Sequence, residues 1–317
     1  MKTFIRVVEV WVPSADGTLL EFGGGLYDHA RGFGAISRHM VFGRGEGLPG
    51  RAWESGRPIM LKRLADSYFL RARAAAAEGL SCALALPQFH GSQLKSVLLI
   101  FCGDDDAHAG AIELWHNAPD RSPDMTLAEG HYGGAAEVFA FMSKHSSFRQ
   151  GFGLPGLAWQ SGLPVFMLDL GKGSRFLRAD SAMRVGINRG LALPCSTAAS
   201  ASGHDSYVLA FLSALGTPIA LRIETWLPDA DYRHLLRDSG FCEAQGALGQ
   251  GGLAERAERG EGALGQALVS GVPVISVAAD AQPGPAGAAA RAAKLRSLVA
   301  LPLWRGDRVV AVVAWYF

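Results

Sequence analysis

The chain has 317 residues, room for two or three domains, and its balance of 49% hydrophobic to 19% charged residues is that of a well-packed globular protein. A net charge of +1 argues against steering to nucleic acid or to an anionic membrane surface. The longest apolar runs, Val97–Cys102 and Val309–Phe317, are far too short to span a bilayer. Cys82, Cys102, Cys195 and Cys242 lack C-x-x-C spacing, so reduced thiols in a cytoplasm are expected rather than a disulfide frame or a zinc site.

The opening "MKTFIRVVEVWV" is basic and then apolar, but Glu9 interrupts it and no small-residue cleavage site follows, so it reads as a first strand over Val7–Val12. Leu19–Phe22 pairs with it after the "PSADGT" turn, Ala30–His39 forms a short helix and Met40–Phe42 a further strand. Next comes "GEGLPGRAWESGRP", Gly45–Pro58, which contains G-x-G-x-x-G. A dinucleotide site needs a long helix after those glycines and an acid about twenty residues on. Here Pro49 sits in the first helical turn and removes an amide that would cradle a phosphate. Gly56 then supplies a left-handed stop, and Pro58 forbids continuation. The motif is therefore read as a structural joint, with Ala52 and Trp53 on its buried side. Pro58–Lys62 is a strand, and the Ala-rich Phe69–Glu78 is a helix closed by Gly79. Ser81–Leu86 and Leu94–Phe101 form a hairpin turning through "FHGSQ". This mixed order predicts an α+β fold, an antiparallel sheet of five or six strands with short helices on one face.

The pattern then repeats. "GFGLPGLAWQSGLP" (Gly151–Pro164) and "GEGALGQALVSGVP" (Gly260–Pro273) restate the joint about every 107 residues, a period of tandem domains rather than solenoid turns. Glu9 and Trp11 recur as Glu113 and Trp115, then as Glu224 and Trp226, and "LALP" at Leu84–Pro87 recurs at Leu191–Pro194. The expected domains are 1–107, 108–217 and a degenerate 218–317. The final strands "VLLIF", "VLAFL" and "VVAVV" do not alternate, which implies burial on both faces by neighbouring units or by a partner. The short loops between units also admit hairpins that would permute the physical domains relative to the repeats.

The run G-x-G-L-P-G-x-A-W-x-S-G-x-P, then a strand, "FLRA", a helix, Gly-Leu, "ALALP" and a last apolar strand resembles the GAF domain family, in particular the modules of bacterial sensory kinases. The resemblance is fullest over Gly45–Phe101 and Gly151–Leu212 and weakest over Gly260–Phe317. It implies a small-molecule pocket between one sheet face and the helices, and a sensory or regulatory protein that is not an enzyme and signals through a partner or a homo-oligomer. On that basis the ligand-binding candidates are Arg71 and Arg178, third in "FLRA" at the pocket mouth, with Trp53, Trp159 and Cys82. An arginine there forks onto a carboxylate or phosphate, or instead pairs with an acid such as Asp66 or Asp180. The third unit has no "FLRA" and is expected to have lost the site. No bilin-type Cys-His pair, cyclic-nucleotide N-K-F-D-E run or metal spacing is present, so no cofactor is expected. His39 and His145 match in position but read as surface or capping residues, and Asp104–Asp106 as a solvated turn. Two rival readings remain. One is an assembly scaffold without a ligand. The other is a thiol enzyme like the free methionine sulfoxide reductases, using Cys82 and Cys102.

Overall fold

The computed structural model describes residues 2–65, 67–103, 110–132, 137–172, 176–198, 205–252 and 255–317. Asp66, Asp104–Asp106 and Ala254 lie outside them. In the first unit the strands are β1 (Ile5–Pro13), β2 (Leu19–Leu26), β3 (Val41–Gly43), β4 (Ile59–Leu61), β5 (Cys82–His90) and β6 (Gln93–Cys102), and the helices are α1 (Arg31–Ser37), α2 (Gly47–Ser55) and α3 (Ala72–Ala77). They form one antiparallel sheet in the order β3-β2-β1-β6-β5-β4. The second unit repeats this with β7 (Gly110–Asn117), β8 (Met125–His131), β9 (Ser147–Phe148), β10 (Val165–Met167), β11 (Ile187–Cys195), β12 (Ser206–Ala214) and helices α4 (Glu137–Lys144), α5 (Gly153–Ser161) and α6 (Ala179–Arg184), in the order β9-β8-β7-β12-β11-β10.

The third unit keeps the sheet and alters the helices. Its strands are β13 (Arg222–Pro228), β14 (His234–Cys242), β15 (Gly246–Leu248), β16 (Ala257–Glu258), β17 (Val274–Ser276), β18 (Leu298–Arg305) and β19 (Arg308–Tyr316). Beside them lie α7 (Gly262–Ser270) and α8 (Gly284–Ala293). Among the described residues β15 stands where α1 and α4 stand in the other units. The first and last long strands of every unit pair with each other, and the strands on either side of each inter-unit loop lie in different sheets. The sheets therefore follow the sequence repeats without permutation.

Local chemistry accounts for the joint. Gly45 and Gly47 have φ of 83° and 56°, which side chains rarely adopt, and a Cβ on Gly50 would lie 2.0 Å from the Gly43 carbonyl oxygen. In the second copy Gly151 and Gly153 have φ of 82° and 65°, and in the third Gly260 and Gly262 have 79° and 59°. Gly156 and Gly265 face backbone oxygens at 2.1 and 2.0 Å. The Gly45 amide donates to the Gly50 carbonyl, and Gly151 to Gly156, both at 2.8 Å. The Gly45, Glu46 and Gly50 amides of the first joint are thus engaged in the turn and the first helical turn. Each helix after the joint has nine residues and stops on a left-handed glycine: Gly56, Gly162 and Gly271.

Two sequence expectations shift. The helix of the Phe69–Glu78 segment begins only at Ala72, because the chain turns over Phe69–Arg71 first. The "FHGSQ" turn shrinks to Gly91-Ser92, since strand pairing continues to His90 and Gln93.

Strand alternation divides each sheet between two cores. In β5, Cys82, Leu84 and Leu86 face one side while Ala83 and Ala85 face the helices; in β6, Leu98, Ile100 and Cys102 oppose Val97, Leu99 and Phe101. The side away from the helices is shared. Leu84, Leu191 and Leu301, with Ile100, Phe211 and Trp315, belong to a single buried cluster drawn from all three units. Neighbouring units therefore provide the cover that the non-alternating strands require. Polar contacts tie the units pairwise. The Ala198 amide donates to the Gly56 carbonyl (2.9 Å), Arg305 donates to the Ser161 carbonyl, and the Phe4 amide donates to the Pro218 carbonyl (2.8 Å).

Candidate functional site

The space between each sheet and its helices is where the sequence expectations place a ligand. In the first unit Glu9 and Trp11, two apart on β1, share the helix-facing side, and the Trp11 indole N–H donates to Glu9 Oε2 (3.1 Å). A bulge separates them: Val10 pairs with Gly24 but Trp11 with Phe22. The same irregularity precedes Trp115 and Trp226. Arg71, at the start of α3, closes on the carboxylate with Nη1 at 2.6 Å from Oε1 and Nη2 at 2.9 Å from Oε2. It also donates to Ser37 Oγ on α1, and the Tyr27 hydroxyl donates to Glu9 Oε1 at 3.1 Å. The guanidinium carbon lies 4.4 Å from the Phe33 ring centre and 5.2 Å from that of Phe69. Glu9 is 0% exposed and Arg71 4%.

The second unit builds the same group from matching positions. Arg178 forks onto Glu113 at 2.5 and 2.8 Å and also donates to Ser143, while Trp115 and Tyr132 each donate to that carboxylate at 3.1 Å. Burial pushes the Glu113 carboxyl up, but the Arg178 charge and hydrogen bonds outweigh it and hold the group below its ordinary value. Tyr27 and Tyr132 are pushed well above the usual phenol range, first by burial and then by the neighbouring carboxylate.

The third unit retains Glu224 and Trp226, joined at 3.1 Å, without an arginine from a following helix. Arg222, two residues back on the same strand, supplies Nε at 2.9 Å and Nη2 at 2.5 Å. Tyr316 on β19 donates at 2.8 Å, and Arg237 approaches to 3.5 Å. By strand register, Arg222 and Tyr316 stand where the first unit has Val7 and Phe101.

Of the five candidates, Arg71 and Arg178 are thus engaged with acids of the chain itself, and among the described residues the acids are Glu9 and Glu113 rather than Asp180. Trp53 is half-buried against the helix-side core of the first unit. Trp159 is likewise half-buried against the helix-side core of the second unit, and it also lines a cleft of about 320 Å³ with Cys195, Tyr207 and Trp304. Cys82 cannot join Arg71 and Trp53, because alternation along β5 turns it to the opposite sheet face, into the shared core. It lies directly across from Cys102, both are fully buried, and burial pushes the Cys102 thiol well above its ordinary value. His145 Nδ1 lies 2.8 Å from the Phe141 carbonyl on an exposed helix end, and His39 is exposed. Among the described residues no group of three or more His, Cys, Asp or Glu is placed to hold a metal ion. The glutamates at the centre of all three groups read from the sequence only as landmarks of the repeat. The available signal was an acid two residues from tryptophan inside an apolar strand.

The GAF domain family's sequence profile matches residues 209–317. That is the unit with the most altered joint, not Gly45–Phe101 or Gly151–Leu212, where the joint is fullest. A search of curated proteins returns no match. Among solved structures, the GAF domain of nlh2 from A. aeolicus, in an inactive state, is 20% identical with a TM-score of 0.26, over 32% of this chain and 60% of that one. A hypothetical protein from S. aureus is 15% identical (TM-score 0.27), over 32% of this chain and 82% of that one. A GAF domain/HD domain protein from Geobacter sulfurreducens is 16% identical (TM-score 0.27), over 33% and 70%. The chain spans 60% and 54% of the first two GAF structures it matches. By sequence profile over its last third the chain is similar to GAF domains, which are typically small-molecule-binding sensory or regulatory modules.

Proposed function

We propose that the protein is a non-enzymatic regulatory module that acts by binding and passes its output to a partner protein, with its ligand surface outside the space between sheet and helices. The observation that carries this reading is the Glu9–Arg71 pair and its counterpart Glu113–Arg178. Both arginines hold a bidentate acid through Nη1 and Nη2 and are ringed by aromatic side chains, so the fork that a ligand's anionic group would need is already taken. The burial of Cys82 and Cys102, which pushes the Cys102 thiol well above its ordinary value, argues in the same direction against thiol chemistry. Hydrogen exchange in the presence of nucleotides, carboxylates and phosphate esters tests the reading. Protection is expected away from residues 9–13 and 69–77. Ligand-dependent protection within those segments overturns the location, and methionine sulfoxide turnover that is lost in Cys82→Ser overturns the non-enzymatic part.

A second reading, an assembly scaffold, is favoured by apolar side chains on α4 and on the turn before α6 in the second unit. Val138, Phe141 and Leu177 are 58%, 59% and 60% exposed. Sedimentation of the parent against a Phe141→Glu variant separates the two: a stable oligomer that the variant dissociates supports the scaffold.

A further inference from the structure

We propose that the cleft between the first and third units binds a small organic anion, a carboxylate or phosphate carried on an apolar body. The cleft forms where the start of β1 and the turn between β2 and α1 meet the turn between α8 and β18. Its volume of about 510 Å³ falls in the range of small-molecule sites. Lys2, Arg6, His29, Lys294 and Arg296 line it against one acidic side chain, Asp28, in a chain whose net charge is only +1. Asp28 already lies 3.5 Å from His29. Arg6 is tethered through Nη1 to the Gly79 carbonyl at 2.9 Å. Among the described residues the side chains of Lys2, Lys294 and Arg296 have neither an ion pair nor a hydrogen bond. Beside the charges it is lined by the apolar side chains of Ile5, Leu26, Leu221 and Phe317 and by the hydroxyl side chains of Thr3 and Ser297.

The backbone singles out the same place. Three non-glycine residues among those described have positive φ, and two of them, Asp28 (41°) and Lys294 (55°), line this cleft. Helices α2, α5 and α7 all stop on glycine, which takes the left-handed conformation without strain, whereas α8 stops on Lys294. Strain held at a cleft is a feature of binding sites, and here it sets an ammonium at the rim. Guanidinium and ammonium groups recognise carboxylate and phosphate oxygens, and the apolar side chains add a demand for hydrocarbon that inorganic anions do not meet.

This proposal rests on reading the protein as one that acts by binding. Calorimetric titration of the full chain with phenyl phosphate, benzoate and inorganic phosphate tests it. At least one of the two organic probes is expected to bind, and inorganic phosphate more weakly; the organic probe that binds identifies the preferred anionic group. Lys294→Gly is expected to fold at least as stably as the parent, because glycine fits that φ. The double change Lys294→Gly/Arg296→Gln is expected to weaken the organic probe about tenfold or more. Unchanged affinity in that double variant, inorganic phosphate binding as tightly as phenyl phosphate, or binding of neither organic probe overturns the site. Phosphorus NMR of the phenyl phosphate titration keeps the two readings apart: hydrolysis overturns the non-enzymatic reading, while the variants alone decide the site.

Discussion

In the first unit the guanidinium that meets the buried acid arrives from Arg71, 62 residues along the chain, and in the second from Arg178, 65 residues along. In the third it comes from Arg222, two residues away on the same strand. All three acids accept the indole N–H of a tryptophan two residues on and the hydroxyl of a tyrosine. The strand pair, the bulge and the Glu-x-Trp geometry are thus common to the units, while the route of the compensating charge is not. A buried carboxylate without a partner is costly, so any backbone that places a glutamate there must bring a cation from somewhere. In the first two units the cation also pins a helix to the sheet. In the third it holds the turn between β14 and β15 instead, with Arg222 Nη1 donating to Gln245 Oε1 at 2.8 Å, and that unit's helices are the ones that differ.

Removing the cation gives the largest expected effect. Arg71→Met leaves Glu9 charged and buried without an ionic partner and should cost about 3–5 kcal/mol, read from urea unfolding. Arg222→Met should cost less, since Arg237 remains 3.5 Å from Glu224. Equal losses would break the comparison. Glu9→Gln combined with Arg71→Met should recover part of the loss, a coupling that a double-mutant cycle measures directly.

The joints should respond alike. Alanine at Gly50, Gly156 or Gly265 drives a Cβ into a backbone oxygen at 2.0–2.1 Å, and each is expected to lose about 1–3 kcal/mol by thermal or urea melts. A tolerated Gly265→Ala would show that the third unit has drifted at the joint as well. Acid should act through Glu113. Its folded carboxyl titrates below the unfolded value, so the stability it contributes is present above about pH 4.3 and is lost as pH falls through the folded value. Melting temperatures should therefore fall below about pH 4 in the parent, and this acid dependence should be reduced in Glu113→Gln, whose stability at neutral pH is lower. Tyr27→Phe, which removes one of several hydrogen bonds to Glu9, should cost the least, about 0.5–1.5 kcal/mol.

Much of this was legible along the chain. The joint could be read from Pro49 and Gly56 because those residues act through their own φ and their own missing or permitted groups, independent of any neighbour. Burial of "VLLIF" on both faces was legible from the lack of alternation. The partner of Arg71 was not. Position in "FLRA" marked an arginine near the helices, but Glu9 lies at the other end of the unit, and only the folding of the helices against the sheet that contains β1 brings the two together. Cys82 was drawn to the wrong side of its sheet for a related reason: alternation fixes which residues share a face, not which face looks at the helices.

The sequence by itself determined that one α+β pattern is written three times, where its turns bend and which strands need cover on both sides, since these follow from local backbone chemistry and hydrophobic periodicity. The tertiary structure alone decided which acid meets which arginine, that the three sheets cover one another, and that a cationic cleft opens between the first and third units. Those outcomes depend on side chains from distant segments competing for the same buried charge and the same apolar face.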